Sequence, residues 1–355
     1  MNIIASLIRE LIEREGFYGL VASTIGHFYY VRPLERDTGK LLNYKLTLTL
    51  PTRLQKEKTQ VFVGDFVEIS PDEQTIKALV PRQSFLQKPN ASNLDRAVIV
   101  TATTQPSPEK EYLDRLLALS GLALPQMPLL CITKTDLKAD LLFFERYKNL
   151  GYEMIALSNR IGEGIEELKA LIEGQGIVLA GRSGVGKSSI LKQLSPELEV
   201  KIGAVSHKNT QGTHTTRHSS LIQLEVKATE KLTFVLDTPG FSRLDLKVTP
   251  EGLIDERAFP EIALSKGKCQ YPGCRHRGEN GCMINFSQDR YKTYLKMLEE
   301  AESFAGEKLE LRKFKAEKHI PKQDSQVKIP LLKEKLRDSS RKTKRQKFQQ
   351  EVTDE

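Results

Sequence analysis

The 355-residue chain contains no run of about 18 apolar residues, so neither a transmembrane helix nor a membrane partner is expected. Its first sixteen residues lack the profile of a signal or transit peptide. Ile3, Ile4, Leu7, Ile8, Leu11 and Ile12 share one helical face, and Arg9, Glu10, Glu13, Arg14 and Glu15 take the other. That pattern reads as a packed amphipathic helix. Cysteine is scarce: four residues, three of them within fourteen positions, do not make a disulfide framework. A reducing compartment fits, and the expected location is the cytoplasm. No internal repeat is seen in the sequence. Tryptophan is also missing, and its absence excludes nothing.

What is present is ordinary globular composition, 39% apolar and 28% charged, over a length that calls for two or three domains. The formal net charge is +8, and residues 306–355 carry 15 Lys/Arg against 9 Asp/Glu, a net of +6. An anionic partner suits this balance. The tail itself reads either as a solvated flexible segment or as a binding element.

Residues 17–86 hold several short β-like runs broken by Gly and Pro, among them Gly19–Arg32, Leu42–Leu50 and Val61–Ile69. About 70 residues of this kind suit a five-stranded OB-type barrel. After Pro89 the character changes. Short apolar runs at Ala97–Thr101, Leu129–Ile132, Met154–Leu157, Ile177–Ala180 and Thr233–Leu236 are separated in several places by helical patterns such as Lys110–Leu122 and Gly164–Ile172. Buried strands alternating with helices imply a mostly parallel sheet covered on both faces. The expected organisation is a multidomain α/β protein: 1–88 an N-terminal helix and barrel, 89–248 the α/β domain, 249–304 a zinc-binding helical domain, and 305–355 a basic tail.

Gly181, Arg182, Ser183, Gly184, Val185, Gly186, Lys187 and Ser188 match GxxxxGK[ST] between a strand-like IVLA and a helix-like SSILKQL that begins at Ser188–Ser189. Backbone N–H groups of such a loop cradle phosphates, aided by the positive end of the following helix. Lys187 would reach the β- and γ-phosphates, and Ser188 would ligate Mg²⁺. Asp237, at the end of strand TFVL, opens DTPG: its carboxylate can hold Mg²⁺ through water, and Gly240 can offer an N–H to the γ-phosphate. Thr133-Lys134-Thr135-Asp136 resembles the [NT]KxD guanine motif. Asp136 would accept from guanine N1–H and the exocyclic amine, a donor pair adenine lacks, while the Lys134 stem stacks on the base. Thr133 stands where Asn is more usual. Ser158 and Asn159 occupy the position of the loop whose backbone contacts guanine O6.

Gly212–Thr216 (GTHTT) lies where switch I belongs, and either Thr215 or Thr216 would close over Mg²⁺. Phe241 follows DTPG, where many small GTPases carry the Gln that orients water. Intrinsic hydrolysis is therefore expected to be slow, with His214 either the water-positioning group or a solvated loop histidine. The order of motifs is circularly permuted: guanine motif and serine loop at 133–159 precede P-loop, switch I and switch II at 181–240. Shortly downstream, Cys269-x4-Cys274-x-His276-x5-Cys282 offers three thiolates and an imidazole, a complete ligand set for one structural zinc.

With TKTD, GRSGVGKSS, GTHTTRHSS, DTPGF and the C-x4-C-x-H-x5-C cluster in permuted order, and VGDFVEI at 63–69, residues 15–300 resemble the ribosome small-subunit-dependent GTPase A family (RsgA, also called YjeQ). The resemblance implies an OB-fold, a permuted P-loop GTPase domain and a C-terminal zinc domain. It implies GTP/GDP and Mg²⁺ as ligands, and the small ribosomal subunit and its rRNA as partners in late subunit maturation. A monomer is the default. The alternative is an RNA-binding assembly scaffold in which nucleotide acts only as a conformational switch.

Overall fold

Asn2 is extended, and its side-chain oxygen accepts from the N–H groups of Ile4 and Ala5, which starts helix α1 at Ile3–Glu13. The helix buries Ile3, Ile4, Leu7, Ile8 and Leu11, the face expected from their spacing. The computed structural model describes residues 2–86, 90–137, 142–195, 220–224, 232–237, 256–272 and 274–317, with residue 237 and residues 304–317 described by backbone alone.

Five short strands follow α1: β1 (Tyr18–Ile25), β2 (Phe28–Pro33), β3 (Leu46–Leu48), β4 (Phe66–Ile69) and β5 (Ile76–Leu79), with helix α2 (Thr52–Lys56) between β3 and β4. The pairs β1–β2, β2–β3, β1–β4 and β4–β5 are antiparallel. The ring closes where Thr49 N–H donates to Gln74 O (3.1 Å) and Ile76 N–H donates to Thr49 O (3.0 Å), a parallel bridge just past β3. Val21, Val31, Leu48, Leu54, Val61, Val67, Ile69 and Ile76 fill the interior. Alternation along the strands puts these side chains on one face, and closure hides them from water.

A buried charge fastens this ring to the next segment. Asp65 is fully buried, and both its oxygens are taken by Arg82, through Nε at 2.7 Å and Nη2 at 2.8 Å. Phe62 N–H (2.7 Å) and the Ser92 hydroxyl also donate to it. Bidentate pairing with full hydrogen bonding is what a charge needs at such depth. Gly64 sits at φ 91°, and a Cβ there would lie 2.1 Å from Ser92 O, so only glycine permits this approach. The short strands β6 (Phe85–Leu86) and β7 (Ala91–Ser92) pair at the same place.

The second sheet comprises β8 (Arg96–Ala102), β9 (Leu129–Thr133), β10 (Met154–Ala156), β11 (Gly176–Ala180), β12 (Ser220–Leu224) and β13 (Thr233–Asp237). Its order is β10-β9-β8-β11-β13-β12, parallel throughout except for β12. Helices α3 (Lys110–Ala123), α4 (Leu142–Asn149), α5 (Ile165–Ile172) and α6 (Lys187–Leu194) follow β8, β9, β10 and β11 in the chain. Successive strand residues fall into two different cores. Ile99, Leu130 and Val178 pack with α1, α3 and α4; Val98, Leu129 and Ile177 pack with α5 and α6. Both faces are therefore covered, as continuous apolar strands require.

Asp95 ties α1 to this sheet. Its carboxylate accepts from Ile3 N–H (2.8 Å) and from Gly176 N–H at the start of β11 (2.7 Å), and burial pushes its pKa up. At the opposite flank, Ser23 of β1 pairs with Ser220 of β12, so ring and sheet form one continuous hydrogen-bonded surface. Beyond the sheet, α7 (Pro260–Ser265) and α8 (Gln288–Glu317) follow. Phe259, Tyr294, Met297 and Leu298 join the core that contains α3.

Candidate nucleotide site and metal cluster

The carboxyl ends of β8, β9, β10, β11 and β13 lie along one edge of the parallel sheet, where ligands of open α/β folds bind. Gly181 leaves β11 at φ 150°, and a Cβ there would lie 2.1 Å from Val100 O. The chain can turn so close to β8 only without a side chain. The loop then enters α6 at Lys187, so Ser188 and Ser189 occupy its first turn. Lys187 Nζ donates to Gly181 O (2.8 Å) and Arg182 O (2.7 Å), which holds the ammonium over the loop. Partial burial lowers its pKa. The Arg182 guanidinium reaches away to Glu109 (3.0 Å), at the start of α3.

The guanine-side residues converge on the same loop. Thr133 is fully buried at the end of β9, and its hydroxyl donates to Val185 O at 2.6 Å. Asn159 Nδ2 approaches the next carbonyl, Gly186 O, at 3.4 Å. Asp136 Oδ1 accepts from the buried Ser158 hydroxyl at 2.7 Å, which fixes the orientation of the carboxylate. Lys134 adopts φ 61°, its carbonyl accepts from the Thr103 hydroxyl (2.9 Å), and its ammonium bonds Gln105 O. The structure thus brings together Thr133, Lys134, Asp136, Ser158, Asn159 and Gly181–Ser189. The backbone of Asp237 ends β13, the neighbour of β11. His214, Thr215, Thr216, Gly240 and Phe241 lie outside the described residues.

Sequence reading missed four contributors: Thr103, Gln105, Glu109 and Gln193, whose Nε2 donates to Asn159 O (2.5 Å). No motif marks them, because main-chain carbonyls and ordinary polar side chains carry no pattern. A second omission is larger. Arg290 of α8 is buried between Asp114 of α3 (2.7 Å) and Glu261 of α7 (2.5 Å), and Tyr147 OH donates to the same Asp114 oxygen (2.8 Å).

The ligand atoms of Cys269, Cys274, His276 and Cys282 lie within 4.8 Å of one another. His276 Nδ1 is 3.8, 3.6 and 3.4 Å from the Sγ atoms of Cys269, Cys274 and Cys282. Zinc–sulfur and zinc–nitrogen bonds of about 2.3 and 2.05 Å at a tetrahedral angle give an edge of about 3.6 Å. The four residues therefore fit zinc, and Met283 N–H donates to Cys269 Sγ (3.4 Å) as an outer support.

A family model described as RsgA GTPase matches residues 79–247, and one described as 50S ribosome-binding GTPase matches residues 176–321. The chain is 37% identical over 295 residues to the small ribosomal subunit biogenesis GTPase RsgA of Moorella thermoacetica, covering 79% of this chain and 96% of that one. It is 33% identical over 302 residues to the protein of the same name from Bacillus pumilus, covering 79% and 96%. Among solved structures it is similar to YjeQ from Thermotoga maritima (27% identity, TM-score 0.62, covering 80% and 98%). It is likewise similar to YloQ, described as a circularly permuted GTPase (28% identity, TM-score 0.60, covering 81% and 95%).

Proposed function

The chain belongs to the RsgA family of GTPases, and from that premise we propose that it binds the immature small ribosomal subunit, hydrolyses GTP there with stimulation by the subunit, and acts in the subunit's late maturation. The observation that carries the nucleotide half of this reading is the Asp136 carboxylate, oriented by Ser158 and joined through Thr133 to the P-loop. One base-recognising acid and one phosphate loop are thereby held in a single hydrogen-bonded frame.

In this reading the N–H groups of Gly181–Ser188 hold the β- and γ-phosphates, and Lys187 turns from the loop carbonyls to the phosphates. Asp136 accepts the guanine donors, and Asn159 and Ser158 close the base side. Mg²⁺, bound with the nucleotide, would supply charge neutralisation at the phosphates; Ser188, Thr216 and Asp237 are the residues that would hold it. His214 is the proposed water-positioning group. The closed N-terminal ring is read as an OB-type barrel that touches rRNA, and the four-residue Cys/His set as one structural zinc site. The protein is taken to work as a cytoplasmic monomer, with domains bounded at 88, 248 and 304.

The test is GTP turnover by the full chain with and without small subunits. Stimulation by tenfold or more is expected. Equal rates in both conditions would favour a scaffold that uses nucleotide only as a conformational switch. Turnover by His214→Ala separates its two readings: a stimulated rate equal to that of the unaltered protein removes it from the mechanism.

A further inference from the structure

β1 has two edges, and they do different things. One edge pairs with β2 throughout, while the other pairs with β4 over Tyr18–Leu20 and is then given to β12 at Ser23. The change occurs at a register shift between Val21 and Ser23, the kind of irregularity that re-aims a strand. Next to this bridge, the Arg32 guanidinium of β2 spans two bodies of structure. Its Nε and Nη2 donate to Leu42 O (2.9 Å) and Leu41 O (3.0 Å) within the barrel, and its Nη1 donates to Gln223 Oε1 of β12.

β12 is not a neutral strand. It begins four residues after the Gly212–Thr216 motif, and it pairs along its whole length with β13, which ends at Asp237. A nucleotide-dependent shift of either flanking motif can act on β12 through its chain connection or through its pairing with β13. On the barrel side the Asp65 carboxylate is buried and bonded by Arg82 and Ser92, whereas among the described residues the polar contact of the barrel with β12 is one strand bridge from β1 and one side-chain hydrogen bond from β2. A firm joint beside a light contact lets the light contact report movement without releasing the barrel.

We propose that Arg32 and Gln223 are positioning residues for the GTPase reaction: through them the barrel sets the place of β12 between the two magnesium-side motifs, and the barrel in turn responds to whether GDP or GTP is bound. This rests on the nucleotide site proposed above. Linkage is reciprocal, so a barrel held by its own partner would bias the nucleotide site by the same factor. One hydrogen bond from a charged donor places the coupling at about tenfold, the lower part of the usual range.

Hydrogen exchange of the full chain with GDP and with a non-hydrolysable GTP analogue tests this. We expect exchange at Ser220–Leu224 and at Ser23–Pro33 to differ at least twofold between the two states. Gln223→Leu removes the acceptor and leaves the Arg32 bonds to Leu41 and Leu42 in place. It should abolish the difference in Ser23–Pro33, and by reciprocity it should shift the ratio of GDP to GTP-analogue affinity by up to about tenfold. Gln223→Glu keeps an acceptor and should keep the difference. Arg32→Lys, which cannot reach Leu41, Leu42, Asn43 and Gln223 at once, should behave as Gln223→Leu. An unaltered chain with no nucleotide-dependent change in Ser23–Pro33 overturns the proposal, as does a Gln223→Leu variant that retains the change. Failure of the site reading shows separately, as α6 exchange that does not respond to either nucleotide.

Discussion

The Thr133 hydroxyl has a single proton, and the nearer of its two carbonyl partners is Val185 O at 2.6 Å, with Thr101 O at 3.3 Å. An Asn at that position would have offered a longer amide; here the shorter side chain does the joining between base loop and phosphate loop. Thr133→Val should leave Val185 O buried without its donor, a loss of about 1–3 kcal/mol. Titration with fluorescent GDP and GTP should show both weakened about five- to tenfold or more, and Thr133→Ser should restore most of it. A Val variant with unaltered affinity would remove Thr133 from the frame. Asp136→Asn exchanges an acceptor pair for one acceptor and one donor, which no longer matches the N1–H and amine of guanine. Affinity should move from guanine toward xanthine nucleotides, whose C2 oxygen can accept from the new amide. These residues were legible in sequence because each follows an apolar strand run and each chemistry needs one residue type. The Ser158 hydroxyl was not. Its loop was expected to act through its backbone, and only the fold reveals the side chain on Asp136.

Within elements, the buried Arg290 shows where pattern reading stops. QDRYKTYLKML has the charge density of a solvated helix face, and the sequence gives no sign that one of its cations is 1% exposed. Burial arises because α3, α7 and α8 meet there. Gly121 of α3 lets the chain come close, since a Cβ there would lie 2.0 Å from Arg257 O. Surface pairs Lys110–Asp289, Glu111–Lys296 and Arg115–Glu300 run beside the cluster, but exposed pairs contribute little. Arg290→Met alone should cost about 3–5 kcal/mol in urea unfolding, because Asp114 and Glu261 are left charged and buried. Adding Asp114→Leu and Glu261→Leu should recover part of that loss; the Tyr147 hydroxyl and Arg146, which also face Asp114, lose a partner in that variant. If the triple variant is no more stable than the single one, the charges are not the cause. The Cys/His set behaves in the opposite way: fully legible from spacing, since four ligands within fourteen residues need no distant partner. Chelation should release one zinc per chain and raise hydrogen exchange across Cys269–Cys282, with GDP affinity within about twofold because no ligand of that set lies in the P-loop frame.

For the whole molecule, the permuted motif order and the basic tail are governed by different physics. Reordering the motifs leaves the edge of the sheet intact, so the site was readable despite the unusual order, while the ring-to-sheet continuity through β1 and β12 was not. Strand pairing across some 200 residues leaves no local signal, and β12 itself, SLIQL, is too short to stand out. Residues 306–317 continue α8, and what distinguishes the segment as a whole is its charge. Residues 306–355 bring +6 of the +8 total, so a chain ending at residue 305 is near neutral. If the tail neutralises Z phosphates of rRNA, log affinity for the subunit falls with log salt by about 0.9Z on a duplex or 0.7Z on single strands. Removing residues 306–355 should then flatten the salt slope by several units and weaken binding most at low salt. Basal GTP turnover should be unchanged, because every residue placed around the nucleotide lies before 305. Subunit binding measured between 50 and 200 mM salt distinguishes the two readings of the tail. A truncated chain with the full-length slope identifies the segment as solvated only, and the basic charge then serves no contact with RNA.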